Sequence, residues 1–327
     1  MSVEGIPLQI GDSGPTVRDL HRRLVAAGFP AVGNVEVYDT DTVLAVRAFQ
    51  ASRRLVDDGM CGPQTWSALV EADFHLGDRM LYLRSPMTRG DDVTDLQQRL
   101  GGLGFDAGYV DGIFGPDTVD AVRAFQTNSG IPADGIVGPD TVDALARLAG
   151  RRAGEKTITE VREAERLRQG RGGLDQHRIV LGESGGLPGL IETLARRLLA
   201  DGATVLTLHQ PDLSQQAQIA NEWNATVYLG VTLSPDDFSV GFFQTEGFHS
   251  RGGRQLALQA SRALTSRLTG EHPVRGLRIP ILRETRMPAI WCRLGQPAEV
   301  VERSSTVAEG FRDSLTLWSE SPVEPPD

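Results

Sequence analysis

Aligned with itself, the chain repeats at one constant offset. Val46-Arg47-Ala48-Phe49-Gln50 recurs as Val122-Arg123-Ala124-Phe125-Gln126, a displacement of 76 residues. The same offset carries Val17, Leu20, Leu24 and Gly28 onto Val93, Leu96, Leu100 and Gly104. It also carries Asp58-Gly59-x-x-Gly62-Pro63-x-Thr65 onto Asp134-Gly135-x-x-Gly138-Pro139-x-Thr141, without a gap. This is duplication, not shared composition, so the two copies must bury their apolar positions in the same way. Apolar spacings of three and four predict a helix closed by Gly28 or Gly104. The Asp-Gly pair predicts a turn, and the Thr after Gly-Pro-x opens a last short helix. Residues 6–73 and 82–149 are thus each expected to form about three helices around a small core holding Phe49 or Phe125 and the leucines. Trp66 fits that core or a sugar-stacking platform, and the core is the commoner place for it.

The repeated pattern resembles the peptidoglycan-binding repeat found beside many wall hydrolases, which reads G-D-x-G-x-x-V-x-x-L-Q-x-x-L, then D-G-x-F-G-x-x-T-x-x-A-V-x-x-F-Q, then D-G-x-V-G-x-x-T. The second copy keeps the central turn as Asp111-Gly112-Ile113-Phe114-Gly115, which makes Asp111 and Phe114 the candidate ligand contacts of the repeats. The first copy departs: Val35-Glu36-Val37-Tyr38-Asp39 stands at that turn, and His21 replaces the Gln.

Residues 150–174 are rich in Arg, Glu and Gly. A short helix over Thr157 to Arg168 with alternating charges reads as a solvated spacer. From His177 onward short apolar runs alternate with amphipathic stretches. Strands are predicted at 179–181, 204–208, 226–231, 240–244 and 289–294, and helices at 187–199, 213–223, 254–268 and 306–318. The fold class expected is therefore multidomain: two all-α three-helix units, then an α/β domain over 175–319 with a mostly parallel sheet and helices on both faces. A tail follows at 320–327.

Three segments of this second half resemble zinc-dependent N-acetylmuramoyl-L-alanine amidases. Ala220-Asn221-x-x-x-Ala225-Thr226-Val227-Tyr228-Leu229-Gly230-Val231-Thr232 is similar to their A-N-x-x-x-A-D-L-F-I-S-I-H, with Thr232 at the zinc-binding His. Pro288-Ala289-Ile290-Trp291-Cys292-Arg293-Leu294-Gly295 is similar to P-A-V-L-V-E-L-G, with Arg293 at the catalytic Glu. Ile179-Val180-Leu181-Gly182-Glu183-Ser184-Gly185-Gly186 is similar to the first strand and its D-P-G-H-G-G ending, with Ser184 at the first zinc-binding His. The loop that carries the family's remaining ligand, a Glu, is shortened here, and Glu192 is the nearest carboxylate. A catalytic zinc needs three strong donors and an open position for water, and hydroxyls are poor donors. A cation about 5 Å from a dication costs on the order of 6 kcal/mol at an effective dielectric near 20. The expectation is that this domain neither binds catalytic zinc nor hydrolyses the amide.

The same segments also fit other chemistry. Gly182-Glu183-Ser184-Gly185-Gly186 fits the G-x-S-x-G elbow, with Asp236, Asp237, His249 and His272 following in Ser-Asp-His order. Glu246, His249 and His209 are candidates for a relocated metal site. The same Gly182–Gly186 run also reads as a backbone nest for phosphate or carboxylate, or simply as a tight strand-to-helix turn. Ser314-Leu315-Thr316-Leu317-Trp318-Ser319-Glu320-Ser321-Pro322 is a candidate phosphorylation switch, or an ordinary disordered terminus.

A formal charge of −10 and a pI near 5.2 argue against a general nucleic-acid binder, although Arg clusters in 147–171 remain as a local basic patch. Cys61 and Cys292 are the only cysteines, which fits a reducing compartment. No apolar run approaches a membrane span, and the first residues carry no secretory signature, so the expected location is cytoplasmic. Tandem repeats, an amidase-like domain without its ligands and no export signal together resemble the actinobacterial CwlM group. That resemblance implies a non-catalytic regulator of peptidoglycan precursor synthesis, with an active N-acetylmuramoyl-L-alanine amidase or a passive peptidoglycan-binding module as the alternatives. Its expected partners are a peptidoglycan fragment or precursor, the enolpyruvyl transferase of the first committed step, and a Ser/Thr kinase.

Overall fold

The computed structural model describes residues 7–148, 158–234 and 238–323. The chain forms two compact units that meet in sequence between Thr159 and Glu160. The first holds α1 (Pro15–Ala26), α2 (Thr40–Ser52) and α3 (Pro63–Glu71), then α4 (Asp91–Gly102), α5 (Pro116–Ser129) and α6 (Pro139–Leu148). Each helix of the second copy begins 76 residues after its counterpart, so the duplication read from sequence is a duplication of structure. Val17, Leu20, Leu24, Val46, Phe49 and Leu69 form one core, and Val93, Leu96, Leu100, Val122, Phe125 and Leu145 the other. Trp66 packs partly buried on the first core, with the Arg23 guanidinium 5.6 Å from its ring.

A buried glutamine explains the repeated Gln and Asp-Gly signatures. Gln50 Nε2 donates to Asp58 Oδ1 (2.8 Å), to the Met60 carbonyl (2.9 Å) and to Thr65 Oγ1 (3.0 Å), while Gln50 Oε1 accepts from Gly59 N–H (2.9 Å). Gln126 repeats this with Asp134, Ile136, Thr141 and Gly135. Gln97 does the same at the central turn with Asp111, Ile113, Thr118 and Gly112. One amide thus satisfies a whole turn whose backbone is shut off from water.

The first copy shows what replaces the missing central glutamine. His21 Nε2 lies 3.0 Å from Thr42 Oγ1, and Asp39 caps α2 by accepting from Thr42 N–H at 2.9 Å. Tyr38 fills the place of Phe114 and donates its hydroxyl to the Gly59 carbonyl at 2.8 Å. The departure from the pattern is a compensated rebuild of the turn.

The helix α7 (Ile158–Gln169) crosses the boundary between the two units and lies mostly in the second. The solvated spacer expected here is corrected: Glu163 and Ala164 are 3% exposed. Glu163 accepts from Ser250 Oγ at 2.8 Å and from Arg251 N–H at 3.1 Å, capping the helix that starts there. Thr157, at the expected start, lies outside the described residues, as do 149–156. Then follow β1 (Arg178–Glu183), α8 (Pro188–Ala200), β2 (Thr204–Leu208), α9 (Leu213–Glu222), β3 (Val227–Leu233), β4 (Ser239–Thr245), β5 (Phe248–His249), α10 (Arg251–Thr265), β6 (Val274–Leu277), α11 (Pro280–Glu284), β7 (Ala289–Leu294), α12 (Pro297–Glu302) and α13 (Ser304–Glu320). The sheet order is β2-β1-β3-β7-β4-β5, with β6 paired to β4. The β2-β1-β3-β7 core is parallel and β4 runs antiparallel to β7.

Strand alternation divides the sheet into two faces. Ile179, Leu181, Val227, Leu229, Val231, Ile290 and Cys292 pack under residues of α8, α10 and α13. Gly182, Tyr228, Gly230 and Trp291 belong to the other face, together with Ser184, Thr232 and Arg293. The tail is corrected too: residues 314–320 are helix, and Ser314 and Ser319 are 1% exposed. Trp318 is 2% exposed and donates to the Gly252 carbonyl at 3.0 Å. Residues 324–327 lie outside the described set.

Candidate functional site

Parallel strands deliver their C-terminal ends to one side of a sheet, and ligand sites in open α/β folds collect there. Ser184 follows β1, Thr232 is near the end of β3, and Arg293 is near the end of β7. Thr232 is the register partner of Arg293. Ser184 Oγ donates to Thr232 Oγ1 at 2.9 Å. The three positions singled out by the amidase resemblance are therefore brought together, as neighbours on adjacent strands. Arg293 is 8% exposed and its register partner on the far side is Ser239 of β4.

The nest reading of Gly182–Gly186 is corrected by the geometry. Gly185 N–H (2.8 Å) and Leu187 N–H (3.2 Å) already donate to Glu183 Oε2, so the concavity is filled by the chain's own carboxylate. Glu183 Oε1 lies 3.2 Å from His209 Nδ1 at the end of β2. Gly182 is required for packing: a Cβ there would stand 1.9 Å from the Tyr228 hydroxyl oxygen and 2.2 Å from Gln216 Oε1. Gly185 and Gly186 have φ of 132° and 88°, which the strand-to-helix turn demands. In the repeats, Phe114 is fully buried and Asp111 is engaged by Gln97 and by Ile113 N–H, so both serve the fold of the turn.

The other candidates are dispersed. Gln244 of β4 pairs with His249, and β4 is antiparallel, so Glu246 and His249 sit at the opposite end of the sheet from Ser184. His272 precedes β6, which is separated from β1 by β3, β7 and β4, roughly 19 Å at the usual strand spacing. Neither histidine is placed to activate Ser184. Asp236 and Asp237 lie outside the described residues. His209 is on the opposite edge from His249, and no group of three His, Cys, Asp or Glu is gathered as a metal would need among the described residues. Glu192 is exposed on α8. The Glu183–His209 pair and the Tyr228–Gln216 bond (2.6 Å) escaped sequence reasoning, because nothing in local spacing links residues on neighbouring strands and helices.

His272 and His177 carry a consequence for stability. His272 stacks on Phe238 (6.0 Å), and burial holds its pKa below 6.5 against the opposing pull of the Gly270 carbonyl and Glu299. Burial also lowers His177, which lies 5.5 Å from the Trp318 ring. A depressed histidine favours the neutral folded form, so its contribution is complete above the unfolded value near 6.5. It is lost as pH falls from there through the folded value. The urea midpoint of the second unit is expected to be lower at pH 5.5 than at 7.5, and His272→Phe to narrow that difference. An unchanged difference would place the dependence elsewhere.

Residues 13–69 and 89–145 match the family described as a putative peptidoglycan binding domain. The N-acetylmuramoyl-L-alanine amidase CwlM of Mycobacterium tuberculosis H37Rv is 32% identical over 357 residues, covering 95% of this chain and 87% of that protein. The N-acetylmuramoyl-L-alanine amidase CwlL of Bacillus licheniformis is 36% identical over 151 residues, covering 39% of this chain and 42% of that protein. Among solved structures, an N-acetylmuramoyl-L-alanine amidase from Clostridium difficile 630 aligns with a TM-score of 0.37 at 17% identity, over 44% of this chain and 98% of that one.

Proposed function

The chain belongs to the family of the mycobacterial CwlM, and from that premise we propose that it is a non-catalytic regulator of peptidoglycan precursor synthesis. In this reading the repeats hold a wall fragment or precursor, and the α/β unit is an amidase framework used for recognition rather than cleavage. What is bound then changes the affinity of the protein for an enzyme of the pathway.

The observation that carries the reading is the donor set at the ends of β1, β3 and β7. The zinc that the amidase resemblance implies asks for imidazole, thiolate or carboxylate. Ser184 and Thr232 offer hydroxyls engaged with each other, and Arg293 beside them offers a fixed positive charge. These residues do not fit a zinc dication, and a guanidinium is no base for an attacking water. Among the described residues no helix is long and apolar enough to cross a membrane. The proposal extends to a cytoplasmic location, to the enolpyruvyl transferase as partner and to control by a Ser/Thr kinase. The burial of Ser314 and Ser319 directs that kinase to other hydroxyls.

The relative carries the name of an amidase, so the deciding experiment is direct. Protein exposed to excess zinc and then desalted is expected to retain far less than stoichiometric metal, and to leave muramoyl-alanine amide intact where a control amidase cleaves it. Stoichiometric zinc with turnover would sink the regulator.

A further inference from the structure

The two edges of the sheet differ. At one, β6 pairs with β4 over four residues that include Arg275 and Gly276, and β5 spans only Phe248–His249. Short, charged edges of this kind discourage pairing with other chains. At the opposite edge stands β2, which among the described residues pairs with β1 alone. Its sequence, Thr204-Val205-Leu206-Thr207-Leu208, holds no charge and no proline, and its register with β1 runs without a bulge. None of these protecting devices is present on that strand.

The ladder decides which peptide groups of β2 are left open. Thr204 N–H donates to the His177 carbonyl at 3.1 Å, so Thr204, Leu206 and Leu208 turn their peptide groups to β1. By alternation Val205 and Thr207 turn theirs outward, where no described residue bonds them. Thr204 is exposed and Val205, Leu206 and Thr207 are half-buried, so solvent reaches the strand. The helix above it shows the same openness. Because α13 packs on both α10 and α8, α8 is the outermost helix of that face, over β2. Arg197 of α8 turns toward α13 and donates to Ser305 Oγ at 3.0 Å. Leu199 is two residues on, roughly 200° round the helix, and so faces the open edge. It is 55% exposed.

We propose that β2 pairs antiparallel with β2 of a second copy of this chain, about a two-fold axis at Leu206. In that register the edge is self-complementary. Val205 and Thr207, which carry the outward peptide groups, fall opposite the second copy's Thr207 and Val205 and form the hydrogen-bonded pairs. Leu206 meets its own counterpart in the closer pair between them, and Thr204 falls opposite Leu208. Every cross-strand pair is then apolar or hydroxyl-bearing, with no like charges apposed. The axis stands perpendicular to the sheet, so α8 of each copy lies on the same face and the two sides that carry Leu199 turn toward each other. Pairing of this kind closes on itself: it consumes the unprotected edge of both copies and leaves only the short edges outside, which gives a dimer and not a filament. The C-terminal ends of β1, β3 and β7 of the two copies point in opposite directions, so each copy keeps its own candidate site. The dimer stands apart from the regulator reading, which neither requires nor forbids it.

The test is sedimentation of the full-length chain over about a hundredfold range of concentration, for the wild type and three variants. The wild type is expected to dimerise. Thr207→Pro removes an N–H that points away from β1, a position where an edge strand accepts proline, and is expected to weaken the dimer by about tenfold or more. Leu206→Glu and Leu206→Lys each set like charges together at the axis and are expected to weaken self-association to a similar extent. Mixed in equal amounts they are expected to regain it, because opposite charges then meet. Circular dichroism establishes that each variant is folded, and should Thr207→Pro fail to fold, the two Leu206 variants carry the test alone. A wild type that stays monomeric overturns the proposal and leaves the edge to an extended segment of another protein. A dimer indifferent to these substitutions, or Leu206 variants that do not recover on mixing, overturns it as well, since the contact then lies elsewhere.

Discussion

Gly182→Ala is expected to destabilise the α/β unit by about 2–5 kcal/mol, the sum of overpacking and a lost buried hydrogen bond. The new methyl would stand 1.9 Å from the Tyr228 hydroxyl oxygen and 2.2 Å from Gln216 Oε1, and those two atoms are bonded to each other at 2.6 Å. Both side chains are fully buried, so neither has solvent to retreat into. Gln216 is held further by donating to the Glu183 carbonyl at 3.1 Å, which ties α9 to the end of β1. The measurement is a urea transition followed at the tryptophans of the second unit, with Gly189→Ala as control, since a Cβ at Gly189 meets nothing within 4 Å. A Gly182→Ala protein as stable as the wild type would mean that the glycine is not kept for packing, and would return this turn to the ligand-contact candidates.

That glycine shows where sequence reasoning reached its limit in the α/β unit. Apolar runs and helical spacing located β1, β2, β3, β4 and β7 and the long helices, because each buries a continuous or periodic apolar stripe that is visible locally. Two-residue β5 and four-residue β6 carry too little pattern to be seen, and their place is set by pairing with β4. The three positions singled out by the amidase resemblance were legible because framework residues flank them, and the sheet brings Ser184 and Thr232 into contact. Of the two readings of the 182–186 run, nest or tight turn, the turn is the one seen, with Glu183 as its acceptor; a glycine-rich turn before a helix signals anion binding in general, but not whether the anion comes from outside or from the chain itself.

The α7 helix failed in the opposite direction. Its charges suggested solvent on all sides, yet Glu163 is spent on the first turn of α10, where two donors need an acceptor. Burial of a single carboxylate by a distant helix start leaves no trace in spacing or composition. The phosphorylation segment at 314–322 misled similarly, since Ser314 and Ser319 look like part of a tail in sequence but are buried on a helix anchored by Trp318. In the repeats the reverse holds. The offset of 76 fixed every helix start, and even the departure at His21 has its counterpart in a rebuilt turn.

Gln126→Ala is expected to cost about 3–5 kcal/mol in the second repeat, more than loss of its methylene packing alone would explain. The amide makes three donated bonds and one accepted bond, and its removal leaves Gly135 N–H buried without a partner and the Thr141 hydroxyl with only its bond to the Ile136 carbonyl. Gln126→Glu keeps the shape but turns a donor toward three acceptors into a fourth acceptor, so it is expected to be at least as damaging. The Asp134 carboxyl supplies an independent readout. Its pKa is held below 3.8 first by the Ile136 N–H and then by Gln126, with desolvation opposing. In Gln126→Ala the second of these is lost and the first remains, so carboxyl titration by NMR is expected to show a partial return toward 3.8, not a full one. A destabilised variant with Asp134 unmoved would mean that the glutamine acts by filling space. A shifted Asp134 with unchanged stability would mean that the turn is satisfied by water once the amide is gone.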